Sequence, residues 1–421
     1  MEKQEEKRIP DIEEKLANLK KLIGVRKFNK ETVMVGLPRG CYVYNDVASA
    51  DNIRRWATAM GDLNPRFLDS EYAKATRYRR LVAPPLFLQS VCFEMIGEFE
   101  TTTPGGRPFH SGAEWEFFQP ILEDDRLDYN GIGLIDAKIT KSKFSGQMIV
   151  TTDIVEYQNQ RGEIVGLAKG FAHRSASDQL AISIGKYGDI AKPYRYSDEE
   201  IRKIEEDKKK EEMRGNQPRY WEDIVEGESI GHLVIGPHTI MDSIAHYTGT
   251  WGAFPLVVGS RLLHRIWYER QGKPMLLMSG ERPEMYDPRI NANVHGELAH
   301  LDYDLGRAVG APGAYDNGAE RECLASILFT NWIGDDGFLW KYSIQFRRFI
   351  VHGDTNWYRG KVVSKYIDDG KCCVDVEHWG DNQRGERTTV GRATVILPSK
   401  VHGPVKYPTP RSIEDIFSAK E

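Results

Sequence analysis

The chain lacks the features that would carry it out of a cytoplasm or into a membrane. No run approaches the roughly 20 apolar residues that a bilayer-spanning helix needs. The opening stretch, MEKQEEKRIPDIEEKLANLKKLIG, is charged throughout, without the apolar core and small-residue cleavage site of a signal peptide. Cysteine is scarce: Cys41, Cys92, Cys323, Cys372 and Cys373 make five, an odd number, with two adjacent and no CxxC pair. Reduced thiols and a cytoplasmic location are the expectation. Charge of one sign is also missing. A net charge of −5 over 421 residues points to neither nucleic acid nor an anionic membrane as partner. No GxGxxG follows a strand and no Walker loop exists, so no nucleotide cofactor is expected. The run His295-Gly-Glu-Leu-Ala-His300 does not have the adjacent His-Glu of the zinc-protease helix. His-x-Glu opens a deaminase pattern, but the Cys-x-x-Cys partner is absent. No cofactor and no metal are therefore expected.

What is present is a long chain with a repeated order of elements. Two or three domains are expected for this length. Ile12, Leu16, Leu19 and Leu22 fall near helical spacing over 12–24. A second helix is predicted over 49–60, with Ser49 as N-cap and Ile53, Trp56 and Met60 on one face. Asn64-Pro65 breaks it. A short polar helix follows at 70–76, and a greasy helix is predicted from Leu86 to Phe99. The period then changes to that of strands over 113–121, 126–140, 145–157 and 163–174. Residues 197–215, SDEEIRKIEEDKKKEEMRG, read as a helix charged on all sides, with a capping box between Ser197 and Glu200, and as a linker that bridges modules. The pattern then begins again. A helix near 238–247 is followed by an insert rich in aromatics, Gly and Pro (250–294, with Trp251, Phe254, Trp267, Tyr268 and Tyr286). After it come an apolar helix over Cys323–Trp332 and strands at 340–350, 355–367, 370–380 and 386–397.

Part of the repeat is literal. Asn159-Gln-Arg-Gly-Glu163 recurs as Asn382-Gln-Arg-Gly-Glu386, each between the last two strands of its set. Asp124-Asp125 lines up with Gly353-Asp354. A sheet wrapped around a helix, made twice, gives an α+β fold. The expected organisation is a helical extension (1–29), a first module (30–185), a linker (186–217), a second module (218–402) and a tail (403–421).

The stretch from His295 to Arg321 gathers two histidines and several carboxylates ahead of the apolar helix, a setting for acid–base chemistry. Its counterpart is Gly61–Leu88. Together they carry a resemblance to the MaoC-like, (R)-specific enoyl-CoA hydratase family, double-hotdog dehydratases of acyl-CoA. The family pattern is an Asp, then Asn-Pro two and three positions on, a His five after the Asp, and an Ala-His-Gly turn opening the central helix. In the first module Asp62, Asn64 and Pro65 match, Phe67 stands at the His position, and Pro84-Pro85 replaces His-Gly. In the second, His300 matches the His, while His295 and Glu297 occupy the Asp and Asn positions. The turn there runs from Gly313 to Gly318.

The resemblance implies two hotdog modules in one chain and an acyl-CoA hydro-lyase, hydrating a 2-enoyl-CoA or dehydrating a 3-hydroxyacyl-CoA. The second module would be the active one and the first a degenerate scaffold, its Phe67 and Pro84-Pro85 forming either a tunnel wall for an acyl tail or plain core. The chemistry needs a group to take a proton from water as it attacks C3 and a group to deliver one to C2. His300 is the first candidate. Asp316 or Glu297 is its carboxylate partner, and His295 is the alternative imidazole. Asp316 also suits a helix cap. Tyr315, Asn317, Gly318 and Gly313 are expected around the substrate, the glycines letting a thioester carbonyl approach the helix N-terminus. The partner is a CoA-thioester substrate, and a homodimer is compatible with two hotdog units per chain. A non-catalytic acyl-CoA-binding subunit and an acyl-CoA thioesterase are the alternatives; fold alone does not choose among them.

Overall fold

Strand after strand alternates an inward apolar side chain with an outward polar one, and all but two short strands join one antiparallel sheet. In Phe109–Phe117, for example, Ala113, Trp115 and Phe117 are buried while Glu114 is exposed. The structure is a computed structural model that describes residues 12–30, 45–95, 108–142, 146–175, 193–250, 261 and 286–418. The first module supplies β1 (Arg26–Asn29), β2 (Phe109–Phe117), β3 (Leu127–Ser142), β4 (Gly146–Asn159) and β5 (Ile164–Ser175). β1 is a strand paired with β3 where the helical extension (1–29) was expected to end. The second supplies β6 (Ser229–Ile235), the small hairpin of β7 (Tyr286–Asp287) and β8 (Ala292–Asn293), then β9 (Phe338–Phe346), β10 (Asn356–Asp368), β11 (Lys371–Asn382) and β12 (Arg387–Ile396).

The ten-stranded sheet runs β1-β3-β4-β5-β2-β9-β12-β11-β10-β6. The second half of that order mirrors the first. The two halves join where β2 pairs with β9, from Gly112 opposite Gln345 to Glu116 opposite Lys341. The repeated pentapeptides make the same turn. Asn159 Oδ1 accepts from Arg161 N (2.9 Å) and Glu163 N (3.2 Å), and Asn382 Oδ1 accepts from Arg384 N and Glu386 N (3.0 Å each). Gln160 reaches Asp125 (2.9 Å) as Gln383 reaches Asp354 (2.6 Å). The fold is the double hotdog expected from the resemblance.

The centre of the sheet holds one long helix, Gly318–Ile333. Nearly all of its side chains are buried, and apolar ones such as Leu328 and Phe329 each contribute roughly 1.5–3 kcal/mol. The helix expected over 86–99 in the first module is different. A 3₁₀ helix spans Pro85–Ser90, Val91–Met95 follow without an α-helix, and 96–99 lie outside the described residues. Side chains and backbone from elsewhere take the carbonyls that a continuing helix would need. The Ser90 hydroxyl donates to Phe87 O (2.6 Å), Asn45 N to Ser90 O (3.1 Å) and Tyr157 OH to Cys92 O (2.6 Å). Phe67, Leu86, Phe87 and Leu88 belong to the packed core. A cavity of about 30 Å³, bordered by Arg66, Tyr78, Phe117 and Ile333, has room for about one water. Phe67 is therefore core, while Pro85 borders this cavity.

Three connecting segments complete the molecule. The Ile12–Lys20 helix lays Leu16 and Leu19 against Leu134, Ala137 and Ile149 of the first module. The charged helix Asp198–Lys209 has the expected capping box, yet it does more than bridge. It covers the edge of β6, with Asp207 accepting from His232 (2.8 Å) and from the Trp357 indole (3.0 Å). The tail crosses back to the first module, where Ile413 packs with Phe118, Ile132, Ile154 and Leu167 and its N–H donates to Glu156 (2.9 Å). Of the insert, Trp251, Phe254, Trp267 and Tyr268 lie outside the described residues. Tyr286 is in the β7–β8 hairpin and donates to Asn291 (2.6 Å).

Candidate active site

Asn317 begins the site because it begins the central helix. Its side chain accepts from Ala319 N (2.9 Å) and closes a capping box with Glu320. The same side chain donates to Glu297 Oε2 (3.2 Å), which also accepts from Tyr247 OH (2.9 Å). Tyr247 comes from the Ile240–Thr250 helix. Glu297 stands at the start of the one-turn helix Leu298–Leu301, which carries His300 one turn later.

His300 is 9 % exposed and Glu297 8 %. The His300 Nδ1 faces the carbonyls of Tyr315 (3.3 Å) and Asp316 (3.2 Å). A carbonyl only accepts, so Nδ1 carries the proton in the neutral ring and Nε2 keeps its lone pair. That Nε2 lies 3.7 Å from Glu297 Oε2, too long for a direct hydrogen bond and short enough for both to hold one water.

Of the other expected residues, Asp316 is turned away from His300. Its carboxylate is gripped by Arg321, Nε to Oδ2 at 2.7 Å and Nη2 to Oδ1 at 2.5 Å, with both side chains buried. His295 accepts from Glu297 N through Nδ1 (3.0 Å), a turn contact. Tyr315 lies beside the His300 ring, centroids 4.2 Å apart, and packs edge-on against Phe349. The two glycines have a packing reason in place of an open approach. A Cβ on Gly318 would meet His110 at 2.6 Å and Phe346 at 2.7 Å, and one on Gly313 would meet Tyr303 at 2.5 Å.

Behind the pair lies a set of ionisable groups that the motif comparison passes over. His238 Nε2 donates to Glu320 Oε1 (2.8 Å), and Ser243 Oγ donates to Glu320 Oε2 (3.1 Å). Burial alone would depress His238, but the adjacent Glu320 carboxylate outweighs it and raises the imidazole to about 9. Burial likewise opposes the Glu320 charge, and His238 overrides it, holding the carboxyl at about 2. The pair is charged at neutral pH. His246 is the opposite case. It is fully buried, neither ring nitrogen has a hydrogen-bond partner among the described residues, and burial lowers it to about 4. The sequence signal was there: Ser243, His246 and Thr250 recur at helical spacing on the buried face of a short helix, and Glu320-Arg321-Glu322 opens an otherwise apolar one.

In the first module the same loop is tied down. Asp62 accepts from Asn64 N (3.0 Å), and burial raises its carboxyl to about 6. Asn64 caps the next turn, accepting from Arg66 N (3.1 Å). Arg66 donates to Gly334 O and Asp335 O (3.3 Å each), at the C-terminal end of the central helix, and Phe67 is fully buried.

Comparison with known proteins agrees with the fold. Residues 42–167 match the family described as FAS1-like, dehydratase domain region. A UPF0336 protein of Streptomyces coelicolor is 33 % identical over 81 residues, which are 18 % of this chain and 54 % of that protein. A probable enoyl-CoA hydratase alpha subunit of Thermomonospora curvata is 29 % identical over 139 residues, 28 % of this chain and 42 % of that protein. The chain thus spans about half the length of these two relatives. A solved structure titled MaoC-like dehydratase superposes with a TM-score of 0.58 at 16 % identity, covering 90 % of this chain and 99 % of that one. No helix among the described residues is long and apolar enough to cross a membrane. In fold the chain is a double hotdog like the solved MaoC-like dehydratase, and its residues 42–167 match the FAS1-like, dehydratase domain region family.

Proposed function

We propose that the protein is an acyl-CoA hydro-lyase, hydrating a 2-enoyl-CoA or dehydrating a 3-hydroxyacyl-CoA, with Glu297 and His300 as its acid–base pair. The observation that carries the reading is the 3.7 Å approach of His300 Nε2 to Glu297 Oε2, with Nδ1 spent on backbone carbonyls. A water held by both loses a proton to one of them as its oxygen bonds to C3. The protonated partner delivers a proton to C2, so water adds across the double bond with nothing left over. Tyr247 and Asn317 hold the Glu297 carboxylate in place, which lets it do the work of the family Asp. The thioester oxygen gains charge as C3 is attacked. The Thermomonospora curvata relative, by its name, supports the substrate class.

The test is loss of the conjugated enoyl-thioester absorbance on mixing pure protein with 2-enoyl-CoA substrates. His300→Ala is expected to lower the rate by about 10²–10⁴-fold. Unchanged turnover in that variant would overturn the assignment of His300, and release of free CoA thiol by the wild type would indicate a thioesterase.

A further inference from the structure

Glu320 and Glu322 point roughly 200° apart around the central helix, so Glu322 leaves the proposed active site and faces the first module. There it meets Glu94, from the turn after the 3₁₀ helix, and His110, from β2. His110 Nε2 is 3.0 Å from Glu322 Oε1, 3.3 Å from Glu94 Oε1 and 3.1 Å from Gly112 O. One donor atom from each of the three side chains lies within 4.8 Å of the others. Both glutamate side chains are 0 % exposed and His110 is 10 % exposed.

The backbone is bent to bring this about. β2 loses register between His110 and Gly112, a bulge that turns His110 inward. Gly112 has φ +141°, and a Cβ there would lie 2.1 Å from Ile344 O, so the bulge requires glycine. Around the three side chains a second set holds them in place. Trp115 donates its indole N–H to Glu322 Oε2 (3.0 Å), Gln89 donates to the same oxygen (3.4 Å), and Cys323 donates to Gln89 Oε1 (3.0 Å). Yet among the described residues no group is placed to donate a well-aligned hydrogen bond to either oxygen of Glu94 or to Oε1 of Glu322. The two buried carboxyls converge on His110 Nε2, whose proton goes to Gly112 O and is given up when the nitrogen ligates a metal. Burial pushes both up, Glu322 to about 8 and Glu94 well above its ordinary range, where the Glu322 charge adds to the effect.

We propose that Glu94, His110 and Glu322 bind one divalent transition-metal ion, of the zinc or manganese class, at the junction of the two hotdog modules. Two carboxylates and a neutral imidazole cancel the charge of such an ion. Metal–ligand distances of about 2.0–2.2 Å place neighbouring donors about 3.0–3.4 Å apart, which the two contacts of His110 already match. The first module gives two ligands and the second gives one, so the ion ties the two halves together. This inference is independent of the proposed hydro-lyase activity.

The experiment takes the full chain as purified, measures its metal content by mass spectrometry, strips it with chelator and titrates it with Zn²⁺ or Mn²⁺. About one ion per chain is expected, with proton release on binding and a rise in Tm of several degrees. The double variant Glu94→Gln, Glu322→Gln, which keeps the shape, is expected to lose both the ion and the Tm response. X-ray absorption of the zinc-loaded wild type is expected to show one imidazole and oxygen ligands without sulfur, a readout that needs no variant. Absence of binding to the stripped wild type, undiminished binding in the double variant, or sulfur ligation would each overturn the proposal. So would a metal-free double variant that melts at or above the wild type, which would mark the pair as carboxylic acids sharing a proton.

Discussion

In the first module Asp62, Asn64 and Phe67 occupy the positions that His295, Glu297 and His300 occupy in the second. The first set has the better match to the family pattern, yet its carboxylate is folded back on Asn64 N and its neighbour Phe67 is sealed in the core. The second set departs from the pattern at two positions and still brings an imidazole and a carboxylate face to face. The two helices ahead differ in the same sense. The Ala50–Ala59 helix buries Ile53, Trp56 and Ala57, whereas Ile240–Thr250 buries Ser243, His246 and Thr250. Motif identity alone therefore does not decide where an imidazole and a carboxylate meet. A carboxylate needs donors that leave its charge available, and Tyr247 with Asn317 supply that to Glu297, while burial works against Asp62.

Substitutions that exchange the roles of the two carboxylates near His300 give the sharpest break. Asp316→Asn opens the buried pair with Arg321 and is expected to cost about 3–5 kcal/mol in denaturant unfolding, with kcat of the folded enzyme retained. Glu297→Gln is expected to do the reverse: a fall of about 100-fold in kcat, near 2.7 kcal/mol, with little change in stability. If Asp316→Asn removed turnover from folded protein and Glu297→Gln did not, the carboxylate assignment would be reversed.

The Glu320–His238 pair predicts a pH signature in the second module. Glu320 at about 2, below its usual 4.5, contributes stability that is complete above pH 4.5 and lost as pH falls toward 2. His238 at about 9, above its usual 6.5, contributes stability that is complete below pH 6.5 and lost as pH rises toward 9. Melting curves of the wild type and Glu320→Gln should differ most between about pH 4.5 and 6.5, and the gap should narrow by about 1–3 kcal/mol toward pH 9. A gap that widened toward pH 9 would contradict a charged pair. The mildest test restores the family residue to the first module. Phe67→His puts an imidazole in the core and is expected to cost about 1–3 kcal/mol without raising turnover. A gain in turnover would show that the first module lacks only that side chain.

Much of the fold was legible because its signals are local. The capping residues Ser49 and Ser197, the alternation along β2 and the twice-used Asn-Gln-Arg-Gly-Glu turn are each decided within a few residues, whereas the cap of the central helix is Asn317 and not the expected Asp316. The 86–99 helix was misread because its fate is set by Asn45 and Tyr157, distant in sequence, which take its carbonyls. The site divides the same way. His300 and Glu297 could be found by spacing. Tyr247, His238 and His246 arrive on another helix, and the grip of Arg321 on Asp316 depends on which way a side chain turns at a helix start. The Glu94–His110–Glu322 cluster was out of reach, since it needs a strand bulge and the meeting of two modules.

The tail that returns to the first module has a consequence for how the chain is made. Ile413 meets Glu156 across 257 positions of sequence. At roughly 5–20 residues per second, the patch of Phe118, Ile132, Ile154 and Leu167 waits tens of seconds on the ribosome for the residue that covers it. For that interval the nascent first half presents a greasy face to chaperones and to neighbouring copies. A ribosome stalled after the linker would release a half-protein with that face uncovered.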